Sequence, residues 1–129
     1  MNGTNLAYLG DAYYELRIRE YLIQKKITNA NKLHQKAITF TSGIAQAEIV
    51  QYFIKSNILT EEEQLIYKKG RNGSSAVKKN IDGKTYQSAS GFEAIIGALY
   101  FQDRNRADWL IDQAIKYCEE VRKHEQNNR

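Results

Sequence analysis

The spacing of apolar positions predicts helices along nearly the whole chain. Leu6, Leu9, Tyr13, Leu16 and Ile23, with Glu20 as the polar exception, recur at helical intervals and place a first helix from about Leu6 to Lys25. A short second helix is expected over about Asn31 to Ile38. After the break at Thr41, Ser42 and Gly43, the positions Ile44, Ala47, Ile49, Val50, Phe53 and Ile54 mark a third, from near Ser42 to Ser56. Thr60 and Glu63 have the spacing of a capping box, in which each side chain accepts a hydrogen bond from the other residue's backbone N–H, so a fourth helix starts there and ends near Gly70. A fifth, from about Tyr86 to Gln102, carries Phe92, Ile95, Ile96, Leu99 and Tyr100. A sixth, from about Asn105 to Lys123, carries Trp109, Leu110, Ala114, Tyr117 and Val121.

The stretch from Gly70 to Lys84, GRNGSSAVKKNIDGK, has little apolar content and three glycines, which predicts a long loop. Connections of that length inside a compact domain are often functional. Residues 1–4 and 124–129 are expected to fray.

Composition narrows the fold class. With 129 residues, the chain suits one domain able to bury a core, and 42% hydrophobic against 26% charged residues argues against disorder. It contains no proline, so together with abundant helix formers the expectation is an all-α protein. Cys118 is the single cysteine, which excludes an internal disulfide; with only His34 and His124 beside it, a zinc ligand set is excluded too, and a reducing cytoplasm fits best. The amino terminus lacks a secretory pattern, and no apolar run approaches the roughly 18 residues of a membrane span, so no membrane association is expected. Lys and Arg number 19 against 15 Asp and Glu, a net charge of +4 and a mild bias toward polyanions.

Two acidic positions stand out. Glu93 lies in the most apolar segment, between Phe92 and Ala94, and a buried carboxylate there needs water, a cation or a metal. Gly97 follows one turn later, where a helical glycine suits close approach of another backbone. Asp11, between Gly10 and Ala12, repeats the arrangement, and Glu15 lies one turn beyond it. Packing of the first and fifth helices through Gly10, Ala12 and Gly97 would gather three carboxylates, a donor set suited to magnesium. The plainer readings stay open: Glu15 as a surface ion pair with Arg19, Asp11 and Glu93 as half-exposed helix carboxylates, and His34 and His124 as solvated side chains. Lys68, Lys69, Arg71, Asn72, Lys78, Lys79 and Lys84, opposed only by Asp82, form either a phosphate-contacting segment or a solvated loop.

The string LAYLGDAYYE at Leu6 to Glu15 resembles the ribonuclease III signature, and GFEAIIGALYF at Gly91 to Phe101 resembles that family's downstream motif. Between them, KKGRNGSSAVKKNIDGKTY resembles the compact Mini-III members, which consist of the catalytic domain alone. The resemblance covers essentially the whole chain. It implies a helical-bundle catalytic domain acting as a homodimer, with Asp11 and Glu93 as catalytic magnesium ligands (manganese able to substitute), Glu15 as a further candidate ligand, and Tyr8 at the dimer interface. The implied reaction is cleavage of double-stranded RNA to 5′-phosphate ends, in maturation of precursor large-subunit (23S) ribosomal RNA. Positions that are acidic in the longer members are Thr4, Ala7 and Ser90 here. Those departures keep a rival in view, a noncatalytic RNA-binding or ribosome-associated protein of the same fold. A helical DNA-binding regulator would need an exposed recognition helix after a short turn, and no segment reads that way.

Overall fold

The computed structural model describes residues 1–73 and 82–127, with the side chains of Arg122, Gln126 and Asn127 excepted. Six helices follow in order: α1 (Gly3–Gln24), α2 (Ala30–Thr41), α3 (Gly43–Lys55), α4 (Glu61–Gly73), α5 (Gly83–Gln102) and α6 (Arg104–Asn127). Among the described residues there is no strand, as expected of an all-α chain. No helix there is long and apolar enough to cross a membrane.

Side-chain caps set the boundaries. Asn2, Asn29, Ser42 and Asp82 each accept a backbone N–H from the first turn of α1, α2, α3 and α5. Asp82 also accepts the Thr85 hydroxyl at 2.8 Å, and the two bonds from Thr85 hold its carboxyl below the usual range. This cap starts α5 at Gly83, three residues before the expected Tyr86. At the other ends, Lys26 and Asn57 take left-handed backbone conformations (φ 65° and 54°) that close α1 and α3 without glycine or proline. At the chain ends, α1 begins at Gly3, capped by Asn2 and held by Thr4, whose hydroxyl donates to the Gly73 carbonyl at 3.0 Å, and α6 continues to Asn127.

Helix α5 is the axis of the bundle. Phe92, Ala94, Ile95, Ile96 and Ala98 are all but inaccessible, and Tyr14, Ile18, Leu22, Phe40, Ile49, Phe53, Leu110 and Ile111 close around them. On α1 the buried stripe is Leu6, Gly10, Tyr14, Ile18 and Leu22, whereas Leu16 and Ile23 are 53% and 62% exposed. The stripe expected through Leu16 and Ile23 is therefore turned, because Gly10 contributes to the packed face through its backbone alone. Tyr13 ties α1 to α6 by donating to Asp108 Oδ1 at 2.5 Å; burial and this carboxylate push its phenol up to about 12, so it remains a donor.

The expected capping box is present and extended. Thr60 N–H donates to Glu63 Oε1 at 2.9 Å and Glu63 N–H to Thr60 Oγ1 at 3.1 Å. Arg106 of α6 grips both carboxylate oxygens at 2.9 Å and donates to the Ile58 carbonyl at 2.8 Å. Burial disfavours ionisation of Glu63, but the bonds from Arg106 and Thr60 outweigh it and hold the carboxyl below its usual range. A lowered folded value means the stabilisation is complete above the ordinary glutamate range and is lost as pH falls through the folded value. Glu63→Gln should cost about 2 to 3 kcal/mol at neutral pH, below the ~3 to 5 of a fully buried pair because the Arg106 side chain keeps 25% exposure. Chemical unfolding at pH 7 and pH 3.5 tests this: the parent's advantage is smaller at the lower pH, and an equal gap at both values would refute the linkage.

Candidate functional site

Two glycines build the α1–α5 crossing. A Cβ on Gly10 would sit 1.7 Å from the Glu93 carbonyl oxygen, and one on Gly97 would sit 1.9 Å from that of Leu6. The helices therefore run antiparallel in backbone contact, with Leu6 opposite Gly97 and Gly10 opposite Glu93. Asp11, the next residue after Gly10, is exposed, and Glu93 is half-buried. Two acidic residues far apart in sequence thus share one crossing.

The third carboxylate does not join them. Glu15 Oε1 accepts from Arg19 at 3.0 Å, the ion-pair reading of that residue, and no group of three metal-ligating side chains gathers among the described residues. Ala12 is exposed and takes no part in the helix contact. These findings correct the expectation of a three-carboxylate cleft.

The end of α4 closes the same region. A Cβ on Gly3 would meet the Lys69 carbonyl oxygen at 2.5 Å, and one on Gly70 would meet Ala94 Cβ at 2.5 Å and the Ser90 carbonyl oxygen at 2.9 Å. Ser90 is buried, and Ala7 is half-buried on the face of α1 that carries Asp11. Thr4, where longer relatives would carry an acid, instead straps α1 to the last residue of α4.

The expected basic loop is shorter than its sequence pattern, because α4 runs on to Gly73 and α5 starts at Gly83. Lys68, Lys69 and Asn72 are exposed on the last turns of α4, and Lys84 is exposed on the first turn of α5. Arg71 lies over the Tyr67 ring at 5.6 Å, with its Nε donating to Asn72 Oδ1 at 3.3 Å. Lys78 and Lys79 lie outside the described residues. Tyr8 is 84% exposed on α1.

Periodicity gave no sign of an open cavity of about 680 Å³ between α3 and the start of α5, reached also by α4 and by Tyr117 of α6. Its residues come from four helices, each reading locally as an ordinary helix surface.

A six-helix bundle whose first and fifth helices meet through glycines, with an aspartate and a glutamate beside the contact, defines a family. Residues 4–104 match the Ribonuclease III domain, and the chain belongs to the ribonuclease III family. Its relatives include proteins named Mini-ribonuclease 3. That of Acholeplasma laidlawii is 51% identical, with the match spanning 93% of this chain and 96% of the relative; that of Enterococcus faecalis is 44% identical, spanning 90% and 89%. A crystal structure of a Fusobacterium nucleatum protein superposes with a TM-score of 0.80 at 32% identity, covering 90% of this chain and 93% of the other. The endoribonuclease class expected from the two motifs and the compact subclass expected from the stretch between them are thereby established.

Proposed function

We propose that the chain is a magnesium-dependent endoribonuclease that cuts double-stranded RNA as a homodimer, in maturation of precursor large-subunit ribosomal RNA in the cytoplasm. The observation that supports this reading is the Gly10–Gly97 crossing, where the Glu93 backbone packs against Gly10, the residue before Asp11. Their donor chemistry fits the ion, since magnesium is bound by one or two carboxylates and completes its shell with waters and substrate phosphate. When bound there, the ion supplies Lewis-acid activation of water and charge stabilisation at the scissile phosphate, with manganese able to substitute. Asp11 and Glu93 hold it, and the Gly10 and Gly97 contacts fix the backbones from which these carboxylates project. Hydrolysis at phosphorus with departure of the 3′ oxygen leaves a 5′-phosphate.

Two cuts across a duplex call for two sites, which a closed two-fold dimer supplies. Tyr8, Leu16 and Ile23 form an exposed apolar stripe on α1, a surface suited to a second copy. Tyr8→Ala should shift the protein toward monomer in sedimentation equilibrium, and an unchanged dimer would remove Tyr8 from the interface. Lys68, Lys69, Arg71, Asn72, Lys78, Lys79 and Lys84 are assigned to the RNA backbone, where contacts to phosphate are salt-dependent and largely indifferent to sequence. Reversing Lys78 and Lys79 to glutamate should weaken duplex binding and reduce the slope of log affinity on log salt by about 2. An unchanged slope would exclude both lysines as contacts.

The deciding experiment incubates the protein with long duplex RNA, single-stranded RNA and duplex DNA, each with magnesium and with chelator. Cleavage confined to duplex RNA with magnesium is expected. Duplex binding without cleavage would assign the noncatalytic alternative instead.

A further inference from the structure

The cavity between α3 and α5 lies apart from the Asp11 and Glu93 crossing: no residue of α1 lines it, and its α5 wall is made by Lys84, Thr85, Gln87 and Ser88, on the turns before Glu93. Three cations reach it, Lys55 from the end of α3, Arg71 from the end of α4 and Lys84 from the start of α5, against one carboxylate, Glu48. Among the described residues, Lys55 and Lys84 enter no ion pair. Three cations from separate helices lining one cavity with a single carboxylate favour an anion there.

The remaining wall is aromatic and polar. Tyr52 and Tyr117 stack at 4.6 Å between centroids with 24° between planes, which fixes both rings as a flat apolar surface. Opposite in chemistry are Gln51, Tyr67 and Ser88: the Gln51 amide donates to the Tyr67 hydroxyl at 3.3 Å and to Ser88 Oγ at 3.4 Å, and those two hydroxyls are 3.2 Å apart. The amide nitrogen is committed to this triangle, so the carboxamide orientation of an otherwise exposed side chain is set. The volume, about 680 Å³, lies within the roughly 300 to 1,000 Å³ of small-ligand sites. Rigid aromatic rings, oriented hydrogen-bonding groups and excess positive charge in one cavity suit a group that is flat at one end and anionic at the other.

We propose that this cavity binds one unpaired nucleotide, with its phosphate at Lys55, Arg71 and Lys84 and its base against Tyr52 and Tyr117. The nucleotide is either free in solution or an unpaired residue at the end of an RNA duplex. Only the second source depends on the RNA-processing reading above.

The test is calorimetric titration of the full chain, in chelator so that nothing is cleaved, with adenosine 5′-monophosphate and with inorganic phosphate. The nucleotide should bind at least ten-fold more tightly than phosphate, and Lys55→Glu should weaken it at least ten-fold. Gln51→Ala, a surface change on the same wall, should weaken the nucleotide several-fold and leave phosphate unaffected. A second arm compares a blunt RNA duplex with the same duplex carrying a short unpaired 3′ adenosine tail. A tail that tightens binding to the parent but not to Lys55→Glu assigns the site to unpaired RNA; nucleotide binding with no effect of the tail assigns it to free nucleotide. Equal affinity for nucleotide and phosphate, or nucleotide binding untouched by both substitutions, overturns the proposal. None of these readings requires cleavage, so failure of the nuclease assignment leaves them intact.

Discussion

Asp11→Asn and Glu93→Gln are each expected to lower magnesium-dependent cleavage of duplex RNA by at least about 100-fold. Residues that merely orient metal ligands typically cost about 10 to 100-fold when changed, so a direct ligand belongs at or beyond the top of that range. The loss should be one of chemistry. Asp11 is exposed and Glu93 half-buried, and both replacements keep the shape of the side chain, so thermal unfolding and oligomeric state should stay near those of the parent. Duplex affinity measured in chelator should change little. Full activity in either variant would remove the metal-ligand assignment, whereas loss of activity together with loss of folding would recast the two acids as structural.

The second large effect falls on stability. In an exposed helix, glycine to alanine gains up to about 1 kcal/mol from backbone propensity. At Gly10 and Gly97 the added methyl would lie within 2 Å of a carbonyl oxygen on the opposing helix, so the helices must separate. Overpacking in a core commonly costs about 1 to 3 kcal/mol, and more where backbone rather than a flexible side chain must move. Gly10→Ala and Gly97→Ala should therefore lower unfolding free energy by about 3 kcal/mol each, the clash outweighing the propensity. Gly73→Ala is the internal control: its Cβ would meet Thr4 Oγ1 at 3.4 Å, ordinary contact, and stability should hardly change. Denaturant midpoints for the three variants decide the point, and equal stability throughout would mean that the crossing is looser than the geometry indicates. The crossing variants should also lose activity before they unfold, since separating α1 from α5 moves Asp11 away from Glu93.

How far the sequence could be read depended on how local the information was. The capping box at Thr60 and Glu63 was legible because both partners lie within one helical turn, and the structure adds only the non-local half, Arg106 from α6. The helix that starts at Gly83 was missed by three residues because Asp82 read as a lone acid in a basic loop, although Asp before a Gly-Lys-Thr run is also a capping signal. The stripe on α1 was misaligned because a search for apolar side chains gives no weight to a glycine whose packing value is having none. That same glycine, placed beside an aspartate, was legible as a contact point once a second glycine stood a turn after a glutamate in another apolar helix.

Helical class, element order and the choice of Gly10 and Gly97 as contact points were therefore legible in short-range pattern, since hydrophobic period, caps and small residues act within a turn or two, and the nomination of Asp11 and Glu93 as the candidate ligands came from two motifs. The use of Thr4 as a strap to the end of α4 and the cavity between α3 and α5 were decided only by tertiary packing, whereas the Glu15–Arg19 pair lies within one turn of α1 and was legible as an i,i+4 ion pair. The strap and the cavity depend on which helix face meets which, and a six-helix bundle settles its faces collectively, by burying α5 on every side at once.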